Sequence, residues 1–199
     1  MTTIDRDANI LGALARIITD RTDDAIVAAA GQSASAAVAL SALHHLVPDS
    51  TVDTLRRVLG LTPSGAVRLV DRLAGAGHVI RGPGPDGRSR SVTLTRPGQM
   101  AAERVTQARA SVLATALADL SPTERATFTA LAERVLAALV TAKVTTAPAA
   151  GGWTCRLCDA RACGRSDDRC PTATAARTAL RQAEQSGAGG GVTATATAR

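Results

Sequence analysis

The sequence predicts a mostly α-helical fold of the α+β class, with one short β-hairpin and a small cysteine-rich appendage. Three observations predict it. Apolar residues recur at helical spacing near both ends of the first 145 residues, as in Ile10, Leu11, Leu14, Ile17 and Ile18. A single turn-dense run, Gly82-Pro83-Gly84-Pro85-Asp86-Gly87, separates two short runs suited to strands. Aromatic residues make up only 1% of the 199 residues, Phe128 and Trp153 with no Tyr, so the core is built from Leu, Val, Ile and Ala. Such thin side chains suit closely approaching helices better than a thick β-sandwich. The same shortage argues against stacking single-stranded nucleic acid, which uses aromatic platforms.

The elements follow in order. Residues 5–30 read as one helix, ended by Gly31. Ser33 or Ser35 caps a second helix over about 34–47, which stops before Pro48. Asp49, Ser50 and Thr51 offer a new N-cap for a short helix, 52–59, closed by Gly60. Thr62 caps the next helix, with Pro63 at its first position, where the missing N–H costs nothing. That helix runs to about Ala74. His78–Arg81 forms a strand, and Arg90–Thr95, alternating and β-branched, returns beside it. Pro97 starts a long helix to about Leu117. Ser121-Pro122-x-Glu124 is a capping box that opens a last helix through about Thr145, with Phe128, Leu131, Val135, Leu136 and Leu139 on its apolar side. Residues 147–152 are a linker. Residues 186–199 are low-complexity and expected to be disordered.

Charge is distributed unevenly. The total is +6. Residues 1–50 carry three Arg against six Asp, whereas residues 51–96 carry eight Arg against three Asp. Positive charge is thus concentrated in the middle, as a module that faces a polyanion requires. A short helix, a tight turn, a second helix and a basic hairpin together form a winged helix-turn-helix. Only the major groove of duplex DNA is wide enough for the second helix. Its start, T-P-S-G-A-V-R, is small and polar, which lets the backbone approach the bases. Thr62 and Ser64 can bond phosphate oxygens at the helix N-terminus, where free N–H groups favour anions. Arg68 and Arg72 lie one turn apart on one face and can reach phosphate or a guanine edge. For Arg72 a structural pair with Asp71 is the competing reading. Arg88 and Arg90 sit at the wing tip and suit the narrow, electronegative minor groove. Asp86 is either a wing-orienting residue or only a turn residue.

L-G-L-T-P-S-G-A-V-R-L-V-D-R-L at 59–73, followed by D-G-R-S-R-S-V-T-L-T at 86–95 and then R-P-G, resembles the MarR family of bacterial regulators. Two motifs occur in the right order at the right distance, and the resemblance covers about residues 5–145. It implies a homodimer built from the first and last helices, binding a roughly palindromic operator on double-stranded DNA, most often as a repressor. It places Ser64 and Arg68 in the recognition helix, has Asp86 orient the wing, and sends Arg88 into the minor groove. Small aromatic acids or oxidants are the effectors it implies. Gly65 departs from the pattern, which has a better helix former there, and the family in general lacks the cysteine appendage. The expected organisation is N-terminal dimerisation and scaffold helices (1–50), the winged core (51–96), C-terminal dimerisation helices (97–146), the cysteine module (151–175) and the tail.

The four cysteines, Cys155, Cys158, Cys163 and Cys170, all lie in one short segment with C-x2-C-x4-C-x6-C spacing. Four thiolates close in sequence match the four positions of a soft-metal site. Zn²⁺ is the expected occupant; an iron–sulfur cluster or a metal-free thiol switch are the alternatives. Arg156, Arg161, Arg165 and Arg169 are placed to lower the thiol pKa values. The segment has too few apolar residues to fold alone, which suits a metal-stapled loop. Trp153 is expected to pack it onto the last helix. His44 and His45 are adjacent on a helix and point apart, so one is expected buried and one at the surface; His78 is expected to be structural.

Other classes are weaker. A cysteine-based redox or electron-transfer protein is the alternative function, but G-A-G at 75–77 ends a helix instead of opening a nucleotide-binding turn. No Ser/His/Asp or paired-carboxylate arrangement argues for an enzyme. No uncharged run of about 18 apolar residues suggests a membrane span. The mixed-charge N-terminus lacks a signal-peptide layout, so the expected location is the cytoplasm, where clustered thiols stay reduced.

Overall fold

The computed structural model describes residues 4–84, 89–146 and 155–188. Helix α1 (Arg6–Ala30) is capped by Asp5, whose carboxylate accepts from the Ala8 N–H at 2.7 Å. Helix α2 (Ala34–His45) begins at Ser33, whose side chain makes no capping bond. Strand β1 (Ser50–Thr51) leads into α3 (Val52–Leu59) and then α4 (Pro63–Gly75). Strands β2 (Val79–Pro83) and β3 (Arg90–Leu94) form the wing, and α5 (Arg96–Ala116) and α6 (Pro122–Thr146) follow. A 3-10 turn at Arg165–Asp167 precedes α7 (Pro171–Ala188). Among the described residues, no single helix is long and apolar enough to cross a membrane.

The helices expected from caps and periodicity stand within two residues of their expected ends. The capping box is made as drawn from sequence: Glu124 accepts from the Ser121 backbone N–H at 2.9 Å and from its hydroxyl at 2.6 Å. Three expectations are corrected. The sheet has a third strand, since β1 pairs with β3 (Ser50 with Val92, Thr51 with Ser91), giving the order β1-β3-β2. The first wing strand starts one residue later than expected and continues through Gly82 and Pro83, assigned to the turn, as far as the Pro83–Arg90 pair. Residues 171–188 form a helix, so positions 186–188 of the expected disordered tail, and 171–175 of the expected cysteine loop, are helical. Positions 189–199 lie outside the described residues.

The core is as thin as the composition requires. Leu40, Leu43, Leu55, Val58, Leu69, Val70, Leu73, Val79 and Val92 form one buried cluster across α2, α3, α4 and the sheet. Ala36, Ala37, Ala39 and Ala42 are all buried, so small side chains line the packed surface of α2. A second cluster joins Ile26 and Ala30 of α1 to Ala37 of α2 and Val105 of α5. Leu157, from the cysteine segment, packs into it.

Two backbone features fix how α4 and the wing are held. Gly60 ends α3 at φ 67°, where its N–H returns to the Arg56 carbonyl; only glycine takes that conformation without strain. Gly98, in the first turn of α5, abuts the wing so closely that a Cβ there would lie 1.9 Å from the His78 carbonyl oxygen. Thr95 completes the junction: its hydroxyl donates to the Gly77 carbonyl at 2.6 Å while accepting from the Gly98 N–H at 3.1 Å.

Candidate nucleic-acid interface and four-cysteine segment

Helix α4 divides cleanly. Ala66, Leu69, Val70 and Leu73 face inward and are buried. Ser64, Val67, Arg68, Asp71 and Arg72 are exposed, and their spacing of three and four residues puts them on one outward face. Thr62 is the N-cap, its hydroxyl oxygen accepting from the Gly65 N–H at 3.1 Å. That bond uses the oxygen lone pair and leaves the hydroxyl proton for an anion at the helix N-terminus. Arg68 makes no ion pair among the described residues and stands in solvent.

Arg72 does not pair with Asp71, the competing reading from sequence. Asp71 is held by Arg81 of β2 at 2.6 Å, and Arg72 reaches instead toward the Ser33 hydroxyl at 3.5 Å. The wing is thus tied to the outer face of α4. Arg90 is exposed at the start of β3. Asp86 and Arg88 lie outside the described residues. Between α3, the start of α4 and the wing runs a groove lined in part by Arg56, Val67, Arg81 and Arg90. Nearby, Arg56 and Arg57 are both paired to Asp53, at 2.8 and 2.7 Å, which holds the Asp53 carboxyl below its ordinary pKa, chiefly through the Arg56 bond.

The four cysteines are free thiols gathered in the segment between α6 and α7. Cys155 and Cys170, from its two ends, both reach the Thr172 hydroxyl, at 3.3 and 3.6 Å. The Cys163 thiol donates to the Ala160 carbonyl at 3.6 Å. Cys155 hydrogen-bonds Cys158, which brings the Cys155 thiol down to about 6, helped by Thr172 and by the positive charges of Arg165 and Arg109. The same bond, with burial, pushes Cys158 up. Burial and Cys170 push Cys163 up. The sulfurs therefore stand as two interacting pairs. Among the described residues, no three His, Cys, Asp or Glu side chains are already arranged to hold a metal ion.

The arginines expected around the thiols divide. Arg165 serves Cys155 as expected, and Arg109 of α5, which the spacing gave no sign of, joins it. Arg169 pairs with Asp167 at 2.8 Å. The Arg156 guanidinium lies over Gly60, where a Cβ would be 3.1 Å from its Nη2. Arg161 sits near His45.

His44 and His45 are both part-buried, against the expectation of one inside and one at the surface. The His45 ring is only 13% exposed; its Nε2 bonds the Thr106 hydroxyl at 2.8 Å, and its Nδ1 lies 4.0 Å from Asp159. His78 holds a buried Nδ1 without a hydrogen-bond partner among the described residues, and its carbonyl accepts from the Thr95 N–H at 3.0 Å. Trp153 lies outside the described residues.

A helix-turn-helix with a three-stranded wing, an outward arginine-bearing helix face and long flanking helices defines a winged-helix protein. The chain has the MarR-type form of that fold. The reduced form of MarR from E. coli superposes with a TM-score of 0.55 at 26% identity, over 68% of this chain and 99% of that one. A MarR family protein from Bacillus stearothermophilus gives 0.57 at 25% identity, over 67% and 96%. Staphylococcus aureus MepR, a transcription regulator of the multidrug efflux pump MepA, gives 0.59 at 17% identity, over 68% and 99%, a likeness of fold alone. No family model and no curated protein matches the chain. These structures are covered almost whole, while roughly a third of this chain has no counterpart in them.

Proposed function

We propose that this protein is a homodimeric transcription regulator that binds a palindromic site on double-stranded DNA, most simply as a repressor, and that its four-cysteine segment is where it is regulated. The observation that carries the reading is the outward face of α4, where Ser64, Arg68 and Arg72 project in line beside the wing strand that carries Arg90. A helix presented this way fits the major groove, with Thr62 and Ser64 at phosphates and Arg68 at a base edge. Arg72 extends the same face. Arg88 and Arg90 take the wing to the minor groove, with Asp86 orienting the tip. Among proteins of the same fold, a MepR mutant has been captured with an oligodeoxyribonucleotide.

Dimerisation is supported by apolar side chains that a lone chain leaves in water. Ile10, Leu11, Leu14 and Ile17 are exposed on α1, and Phe128, Leu131, Leu136 and Leu139 on α6. Leu131 is 52% and Leu139 62% exposed. Apolar faces of this extent mark association surfaces. A second copy pairing these helices would present α4 twice about a two-fold axis, the symmetry a palindrome has.

The test is a titration of the full chain against duplex DNA from its own promoter region, with mass measured in solution. A dimer that binds a specific duplex with strong salt dependence supports the reading. A monomer, or a protein indifferent to duplex DNA at low ionic strength, overturns it.

A further inference from the structure

We infer that Cys155, Cys158, Cys163 and Cys170 hold one thiophilic divalent cation of the Zn²⁺ class, and that the loop it closes is a strut seating the helix-turn-helix of the same chain. The second half deepens the regulatory reading above and rests on it; the metal site stands without it.

The metal site is argued from the placement of the sulfurs. Cys155 and Cys170 are separated by most of the segment, yet both thiols converge on one hydroxyl, that of Thr172. Cys158 pairs with Cys155, and Cys163 interacts with Cys170. All four cysteine sulfurs thus fall into two interacting pairs, without a disulfide. A four-coordinate thiolate site needs the two pairs to close on one point, with Zn–S distances of about 2.3 Å. The C-x2-C half is already turned back on itself, and the other half is anchored where Pro171 starts α7. Closing the site replaces four S–H bonds with four S–metal bonds and releases the protons to solvent. The net charge of −2 left on a tetrathiolate site is met by Arg109 and Arg165.

The strut is argued from where the loop touches the rest of the chain. Leu157 fills the cluster shared by α1, α2 and α5, beside Ile26, Ala37 and Val105. Arg156 lies over Gly60, in the turn between α3 and α4. Asp159 lies beside His45, whose other nitrogen is fixed to α5. Three of the five residues from Cys155 to Asp159 thus contact the scaffold that aims α4. Beyond Cys170 the chain continues as α7, whose buried Thr172, Ala175 and Ala179 face α6. A cation that rigidifies this loop holds the turn before the recognition helix and the start of α7, which packs on α6, in one arrangement. Its loss releases both.

The experiment uses the full chain purified under reducing conditions, with zinc counted by elemental analysis and operator affinity measured on loaded and chelator-stripped protein. The expected result is one zinc per chain, a colourless solution, and operator binding weakened at least about fivefold on stripping, within the usual range for coupled sites. Zinc added alone restores it. Cys155→Ser with Cys158→Ser abolishes the zinc. Because that pair of changes can also unfold the segment, Arg156→Gln gives an independent reading: zinc content unchanged, and the difference between loaded and stripped protein reduced. Absence of bound metal, or iron with acid-labile sulfide and visible absorption, overturns the zinc site. One zinc with equal affinity in both states, or an Arg156→Gln chain that keeps the full difference, overturns the strut. If neither state binds duplex DNA, the DNA-binding reading falls and takes the strut with it, while the zinc count still decides the site.

Discussion

Asp71 on α4 and Arg81 on the first wing strand meet at 2.6 Å, across an exposed surface. The pair joins the two parts that would enter adjacent grooves. As an exposed ion pair it contributes about 0–1 kcal/mol to stability. Its larger effect is to place a carboxylate on a face otherwise occupied by Ser64, Val67, Arg68 and Arg72. Asp71→Asn should leave the melting temperature nearly unchanged. It should free Arg81 for phosphate, tighten non-specific DNA binding and steepen the salt slope by about 1. A melting temperature lowered by many degrees, with no change in slope, would show the pair to be chiefly structural.

Arg68 and Arg88 should separate base reading from backbone attraction. Arg68→Ala removes an arginine of the α4 face that makes no ion pair among the described residues, and should cost about 1–3 kcal/mol at the operator, with relaxed preference at one base position. Arg88→Ala should weaken all sequences alike and reduce the salt slope by about 1. Anisotropy titrations at several salt concentrations, on cognate and scrambled duplexes, distinguish the two. Equal losses on both duplexes for Arg68→Ala would count against base contact.

Gly98 allows α5 to start against the wing. A methyl group there would meet the His78 carbonyl oxygen at 1.9 Å, so the junction must open. Gly98→Ala should destabilise the fold by about 1–3 kcal/mol, the usual cost of overpacking, although alanine is the better helix former. Thermal melting checks it; a stabilised variant would refute the close approach.

His45 carries a pH dependence whose sign follows from its surroundings. Burial first, then His44, lowers its pKa from the ordinary 6.5; Asp159 opposes the shift and Arg161 adds to it. The folded state thus holds the ring neutral, while the unfolded chain takes up a proton once the pH falls below about 6.5. The contribution to stability is complete above that value and is lost as the pH falls from there through the lowered folded pKa. His45→Gln, which retains a donor for Thr106, should flatten the stability profile between pH 7 and 5. Denaturant midpoints measured across that range test it.

Much of the winged body is legible in the sequence because its signals are local. Thr51 and Thr62 cap their helices through their own side chains as expected, and the Ser121–Glu124 box forms as the spacing implies. Asp5 and Thr95 cap two more helices without having been read as caps, and the expected cap at Ser33 makes no side-chain bond. Strand β1 was not legible: two residues give no alternation, and they pair only because β3 passes beside them. Helix α7 was hidden by composition, since a run rich in Ala and Thr also reads as tail. Pro171 as a first helical residue and the i, i+3, i+7 spacing of Thr172, Ala175 and Ala179 are the signals that identify it. The cysteines were legible as a group; the seat of Arg156 on Gly60 was not, because nothing local links residues so far apart. The partner of Arg72 failed to follow from adjacency for the same reason: Asp71 is claimed by a strand that the chain reaches only after a turn.

Leu157 supplies the last wall of an apolar cluster whose other walls come from three helices far earlier in the chain. A version shortened to residue 146 would keep the outward face of α4 and the wing but carry an open greasy notch beside Ile26 and Val105. Such a fragment should be the stickier, less soluble form, and crystallographic or binding work on it would describe a wounded protein.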